Sequence, residues 1–436
     1  MKLRRVALGA LAGAVLAAPI MASSASAESV FIPGLTYRTG PFGSHGKVVA
    51  NGFLDYVKLL NARDGGISGV KIVYEECEFG YSTPKGVECY ERLKLKGAVI
   101  VNPYSTGVTN KLLPKAPQDK IPILTMGYGF SGSADGRYFA WGFNYPATYW
   151  SQASAIIKYI ASIEGSLAKL KGKKIGFIYL ESGYGKEPIP LLLALGKRFG
   201  FKLTTYSVPF KASADQRSQW RKAVRSKQDW MIMWGWGKMN PTAIQRASEF
   251  GFPMNRFIGV WWSGAEQDTQ PNAAAAKGYR SATFHAPGGS YKVHQEIIKV
   301  VYKGDVAKAE ANDLGDVLYN RGVFNAMISV EAIRYAIRVY GKKVTGTGVR
   351  EGLENINISA ARLTQLGFKG FTRPFRGSCA DHEGSGAIMI QEWDGKNWRL
   401  VSGWIEPMKA IVRPLITEAA LKKGKQFGAK KRANCK

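Results

Sequence analysis

From about residue 29 to residue 260 the chain alternates between short unbroken apolar runs and amphipathic helical stretches, and few architectures accept that alternation. The runs Ala98 to Val101 and Ile121 to Leu124 carry no polar residue at every second position. Such runs suit strands covered on both faces, as in a parallel sheet flanked by helices. Each leads into a loop of small polar and aromatic residues, Asn102 to Gly107 and Thr125 to Ser131. Loops at the carboxyl ends of neighbouring parallel strands lie side by side, where open α/β folds hold ligands.

The order of elements follows from the same reading. A strand at Ser29 to Leu35 precedes a helix over about Gly46 to Arg63, with Val49, Phe53, Tyr56, Val57 and Leu60 at helical spacing and Asp64-Gly65-Gly66 as its stop. A strand at Val70 to Glu75 and a helix from Thr83 to Lys94, with Pro84 at its first position, follow. A second succession begins after Trp150. It predicts strands at 174–180, 202–208, 230–234 and 256–260, with helices at 189–199, 215–226 and 241–250 between them. From Gly278 the pattern changes to a strand near Ser281 to His285, helices over 291–303 and 319–340, and two strands flanking Asp394-Gly395, a hairpin signal. The expected class is therefore α/β, with two like lobes built on parallel sheets.

The amino terminus reads as an address. Lys2, Arg4 and Arg5 precede the apolar run Val6 to Ile20, and Ala25-Ser26-Ala27 offers small residues for cleavage, so residues 1–27 are expected to be a secretory signal peptide. The run is shorter than the ~20 residues a membrane-spanning helix needs. The roughly 400 residues that follow exceed one ordinary core and call for more than one domain. The formal charge of +29 raises nucleic acid as a partner, yet Lys and Arg are spread along the whole chain and are dense only from Lys422 to Lys436. For an exported chain the charge is read as a solvated surface open to anionic ligands or an anionic membrane face, with no nucleic-acid partner.

Four cysteines in an exported chain suit disulfides better than metal. Three pairings are open by sequence; the short separation of Cys77 and Cys89 favours that local pair, which leaves Cys379 with Cys435. His45, His285, His294 and His382 show no ligand spacing, so no metal and no cofactor are expected.

At this point the chain resembles the extracytoplasmic solute-binding proteins of the branched-chain amino acid type that serve ABC importers. The residues that carry the likeness are the opening strand running into Thr39-Gly40-Pro41, the segment Asn61 to Ile67, the Cys77 to Cys89 unit and the loop Glu181-Ser182-Gly183-Tyr184-Gly185. The resemblance implies two Rossmann-like lobes joined by three crossings that close on a small solute like a hinged trap. It divides the chain into 28–147 plus 283–370 and 148–282 plus 371–436. It also implies a periplasmic, monomeric protein that hands its solute to a membrane permease. Carried over position by position, Tyr104, Ser105 and Thr106 would meet the ligand with hydroxyl and backbone groups, and Gly127, Tyr128 and Ser131 would add hydrogen bonds. Tyr184 would reach in from the second lobe, and Glu266 lies near where amino acid binders place an acid for the ammonium group.

Two departures bear on the ligand. The second loop holds Met126, Tyr128 and Phe130 where many amino acid binders have Ser and Thr, and the second lobe carries Trp234, Trp236, Trp261 and Trp262 at strand ends. Aromatic walls suit a flat ligand held by stacking and apolar contact. An amino acid, an aromatic carboxylate, a short amide and other small acids all remain open. Arg38 and Arg137 could meet a carboxylate with two parallel donors. Each candidate also has a plainer reading: a turn after a strand for Tyr104 to Thr106, packing for the tryptophans, and a solvated surface for Glu266, Arg38 and Arg137. Catalysis is disfavoured because the sequence has no G-x-S-x-G, no H-E-x-x-H, no G-x-x-x-x-G-K-[ST] and no G-x-G-x-x-G opening a helix after the first strand. A receptor-type sensor domain is the third class to weigh.

Overall fold

The computed structural model describes residues 28–435, so the expected signal peptide, 1–27, lies outside the described residues. Strand β1 (Ser29–Thr36) runs parallel to β2 (Lys71–Glu78), with Ser29 opposite Lys71 and Thr36 opposite Glu78. On its other side β1 meets the apolar segment 98–102 through single bridges, Phe31 to Ala98 and Gly34 to Asn102. Val101 then bridges Ile123 of β3 (Ile123–Leu124), which lies parallel to β4 (Gly142–Phe143). This is the first sheet, and all its strands point the same way.

The second sheet has seven strands. Strands β5 (Lys174–Leu180), β6 (Lys202–Val208), β7 (Trp230–Trp234), β8 (Phe257–Gly259) and β9 (Arg280–Thr283) are parallel, in the order β9-β8-β7-β5-β6. A two-strand ribbon, β10 (Asn357–Ile358) with β11 (Phe375–Arg376), stands apart. The hairpin expected around Asp394-Gly395 forms from β12 (Met389–Trp393) and β13 (Trp398–Leu400), and β12 adds to β9 antiparallel. The late hairpin thus completes the second sheet.

The helix Gly43–Asp64 packs along the helix Val317–Tyr340 at a crossing of two glycines. A Cβ on Gly52 would lie 2.0 Å from the Tyr319 carbonyl oxygen, and one on Gly322 would lie 2.0 Å from that of Val49. Only glycine allows this backbone approach. The long helix is thereby fixed on the first sheet's side, and Arg321, one residue before the contact, is fully buried.

The chain passes between the two sheets at three places, and these are bound to one another. The backbone N–H and the hydroxyl of Thr148 both donate to Glu383 Oε1, at 2.8 and 2.7 Å, and the Asn144 N–H donates to the His382 carbonyl at 2.7 Å. Thr372 donates to the Phe284 carbonyl at 3.0 Å. Both disulfides, Cys77–Cys89 and Cys379–Cys435, are formed.

The carboxyl-terminal element departs from expectation, as does the segment 98–101, read as a strand but held by single bridges. The basic end, read as a solvated tail, begins as a helix, Lys409–Gln426, with Val412, Ile416 and Ala420 buried at four-residue spacing. It lies against the turn Ser131–Ala134, and Arg432 beyond it pairs with Glu354. Its lysines occupy the outer face, so a narrow apolar stripe supports the helix despite Pro414.

Candidate functional site

The two loops that follow 98–101 and β3 are bent and tied together. Tyr104, Met126, Gly127 and Gly129 all have positive φ, at 47°, 49°, 86° and 106°. The Ser105 hydroxyl caps the following helix at the Val108 N–H (3.4 Å), and Thr106 Oγ1 accepts from the Gly129 N–H at 3.2 Å, joining one loop to the other. The Tyr104 hydroxyl accepts from Asn325 Nδ2 at 2.6 Å. The Ser131 N–H donates to Glu187 Oε1 at 2.9 Å, and its hydroxyl accepts from the Trp150 N–H at 3.3 Å. Both Ser131 contacts reach elements of the second sheet's side.

Opposite these loops the ends of β7 and β8 present tryptophans. Tyr128 stacks on Trp262 with ring centroids 4.6 Å apart and planes 28° apart. Tyr184 donates to the Gly235 carbonyl at 3.0 Å and lies 6.4 Å from Tyr128 and 5.5 Å from Tyr149. Tyr149 in turn lies 5.4 Å from Trp234 and 5.5 Å from Trp261. The approach is close, since a Cβ on Gly127 would fall 2.6 Å from Trp261 Cζ2. A continuous aromatic layer therefore lies between the two sheets. Toward solvent it opens into a cavity of about 270 Å³ lined by Ser105, Thr106, Tyr184, Phe42 and Phe210. Another cavity of about 270 Å³ lies under the carboxyl-terminal tail against Tyr138, Trp141 and Phe427, and neither loop contributes to it.

The layer holds one guanidinium. Arg321 Nη1 donates to the Trp261 carbonyl, and its Cζ sits 5.0 Å from the Trp262 ring centre and 5.1 Å from that of Phe284. Its Nε and Nη2 are buried without a hydrogen-bond partner, as are the hydroxyls of Tyr37, Tyr128 and Tyr149 and the indole N–H groups of Trp234, Trp236, Trp261 and Trp262. Burial lowers the Arg321 pKa to about 9, while Tyr128, Asp268 and Glu266 pull it back up. Burial also holds the Tyr128, Tyr149 and Tyr184 hydroxyls well above their ordinary range, so they stay protonated. Buried polar groups are nearly always partnered, so the unpaired groups gathered in this layer make it the candidate binding surface.

The acids nearby are occupied. Asp268 accepts from His45 Nε2 at 2.8 Å, from Asn240 Nδ2 at 2.9 Å and from the Ala265 N–H at 3.0 Å. Glu266 Oε2 accepts from the Val317 N–H at 2.8 Å, at the start of the helix that carries Arg321, and burial and then the Asp316 charge raise its pKa to about 8. Arg38 pairs with Glu76 and Arg137 with Asp135, outside the layer. His285 is buried, its Nδ1 facing the Ala286 carbonyl. Among the described residues no group of three His, Cys, Asp or Glu could hold a metal ion.

Of the residues singled out by sequence, Tyr128, Tyr184, Trp234 and Trp261 meet in the layer, with Gly127 pressed against it. Tyr104, Ser105, Thr106 and Ser131 sit in the loops above it, and Glu266 faces the amide of Val317 instead of the rings. Arg321 and Tyr149 escaped the reading. The signal for Arg321 was Asn320-Arg321-Gly322, the one charged step in a buried helix stretch, 317–330, whose other polar members are Asn320, Asn325 and Ser329.

A periplasmic binding protein family model matches residues 29–397. A crystal structure from the Pseudomonas fluorescens group titled as an ABC transporter permease superposes with a TM-score of 0.87 at 37% identity, covering 93% of this chain and 99% of that one. A branched-chain amino acid ABC transporter protein from Thermus thermophilus with bound valine superposes at 0.73, with 20% identity over 89% of this chain and 98% of that one. A solute-binding protein from R. palustris in complex with benzoate gives 0.68, with 14% identity over 87% and 97%. The last two likenesses speak to the fold alone. No curated protein matches.

Proposed function

The chain belongs to the periplasmic binding protein family and is the solute-binding component of an ABC importer; from that premise we propose that it captures a small organic solute in the aromatic layer between its two lobes. The observation that carries this reading is the set of unpartnered polar groups drawn from both lobes onto one buried surface, with Tyr37 and Tyr128 from one side and Trp234, Trp261 and Trp262 from the other. Side chains of Tyr128, Tyr184, Trp234 and Trp261 would desolvate the body of the solute, while Ser105, Thr106, Ser131 and the amides near Gly127 hold its polar end. The solute touches both lobes only when they are closed, so binding shifts the population toward the closed form. The permease then recognises that form.

The same reading takes residues 1–27 as a cleaved signal peptide, the periplasm as the place of work, and a monomer as the working unit. It puts the lobe boundaries near the three crossings, at about 147, 283 and 371, with the strap beyond Lys409 returning to the first lobe at Ser131–Ala134, Arg137 and Glu354. The similar proteins solved with valine and with benzoate bracket two ligand classes, an amino acid and an aromatic acid. Native mass spectrometry of the mature protein, followed by calorimetry with the molecule found, tests the placement. Tyr184→Ala and Tyr104→Ala should each weaken binding by about tenfold or more, the scale of one lost buried contact. Unchanged affinity in both variants rejects the site.

A further inference from the structure

Resting on capture in the interlobe layer, we infer that Arg321 seats the solute's acidic group and restricts the solute to monocarboxylates that lack an ammonium group, carried on a flat apolar body. The geometry of the guanidinium is the first ground. Nη1 is committed to the Trp261 carbonyl, which orients the plane, and the Nε and Nη2 edge is left free. Those two N–H groups form one edge of the fork, whose parallel donors match the two oxygens of a carboxylate. Trp262 and Phe284 flank the guanidinium, so an acid bound there would have aromatic surface beside it.

Charge supplies the second ground. Arg321 is the only lysine or arginine among the described residues that is buried, and no carboxylate of the described residues lies within ion-pairing distance of it. A buried charge is stabilised by one opposite charge in hydrogen-bonding contact. One negative charge completes it; the second charge of a dicarboxylate or a phosphate would be buried without a partner.

The third ground is the polarity of the remaining groups. The indole N–H groups of Trp234, Trp236, Trp261 and Trp262 can only donate, as can the guanidinium. An ammonium needs acceptors. Asp268 is already met by three donors, and Glu266 is held at the Val317 amide. Glu187 keeps one oxygen free, but its other oxygen accepts from the Ser131 N–H, its backbone carbonyl accepts from Trp150 Nε1, and burial raises its pKa to about 7, which disfavours the charged form an ammonium would need. An α-amino acid would therefore set its ammonium beside a majority of donors, with only the neutral hydroxyls of Tyr37, Tyr128 and Tyr149 to accept from it and no free carboxylate to balance its charge.

The test is calorimetry on the mature protein, stripped of bound solute, with benzoate, 4-hydroxybenzoate and phenylacetate, the three matching primary amides, and valine and phenylalanine. At least one acid should bind, about 100-fold more tightly than its amide, the scale of a charge-assisted bidentate contact. Both amino acids should bind more weakly than the best acid. Arg321→Met should collapse the difference between the acid and its amide, both losing the guanidinium's donors, while circular dichroism and urea unfolding report that the variant is folded. Arg321→Lys, which keeps the charge and loses the fork, should fall between the two. The comparison of acid with amide in the unmutated protein stands even if both variants fail to fold. Acid binding that survives Arg321→Met, or an amino acid that outcompetes every acid, overturns the inference while interlobe capture stands. Failure of the whole panel, with no small molecule retained in native mass spectrometry, overturns both.

Discussion

Replacing Gly127 with alanine separates closure from folding. The residue has φ +86°, and the added Cβ would sit 2.6 Å from Trp261 Cζ2. The two costs arise in different states. Holding an L-residue in a left-handed conformation costs about 1–2 kcal/mol whether or not the lobes are together. The clash exists only while the lobes are together, because Gly127 belongs to the loop after β3 and Trp261 to the turn after β8. To reach ordinary contact the indole would have to retreat by roughly 1 Å. It is hemmed in by Tyr149 at 5.5 Å and Phe284 at 5.2 Å. Overpacking of this kind costs about 1–3 kcal/mol, which corresponds to roughly 5- to 150-fold in affinity. Calorimetry with a bound solute should show that loss, while urea unfolding of the solute-free protein falls by no more than the conformational share. Trp261→Phe removes the ring atoms that the Cβ would meet, so the double variant should recover part of the affinity lost by Gly127→Ala. Wild-type affinity in a folded Gly127→Ala protein would refute the claim that these two groups meet in the solute-bound form.

Two further outcomes can be checked on the same material. Burial pushes the Glu187 pKa from 4.5 up to about 7, so the folded state holds a proton that the unfolded state releases. Stability should fall as pH rises from about 4.5 to about 7 and level off above it, and Glu187→Gln should flatten that slope in urea titrations; an unchanged slope rejects the assignment. The Cys379–Cys435 bridge closes a loop of sequence separation 56. Loop-closure entropy makes it worth about 4 kcal/mol, so Cys379→Ser with Cys435→Ser should lower unfolding stability and expose the Lys409–Gln426 helix to protease, and intact resistance would mean that packing alone retains it.

The class of fold was legible because composition and length agree: the apolar runs within 174–180 and 230–234 and the stretch 202–208, rich in Thr, Tyr and Val, became β5, β7 and β6 at the same residues. The segment 98–101 was read as a strand, yet it joins the first sheet by single bridges, because its loop turns away at Tyr104 before a ladder can extend. Hydrophobic pattern reports burial and not the length of a ladder. At the site, aromatic residues at strand ends were readable, and Tyr128, Tyr184, Trp234 and Trp261 do meet. Arg321 was not readable, since a search for apolar periodicity passes over the charged member of a buried helix face. Glu266 was singled out by its position in the chain, whereas its partner, the Val317 amide, lies 51 residues away.

The carboxyl-terminal strap has a consequence for anyone building a reporter from this protein. The amino-terminal strand β1 lies in the first sheet, and Arg432, near the other end, is clasped to Glu354 and to the carbonyl of Arg137 on that same side. Fluorophores fused to the two ends would ride together through opening and closing and register little of it. A responsive pair should instead join exposed surface on opposite lobes, such as Lys96 in the turn before residue 98 and Lys227 in the turn before β7.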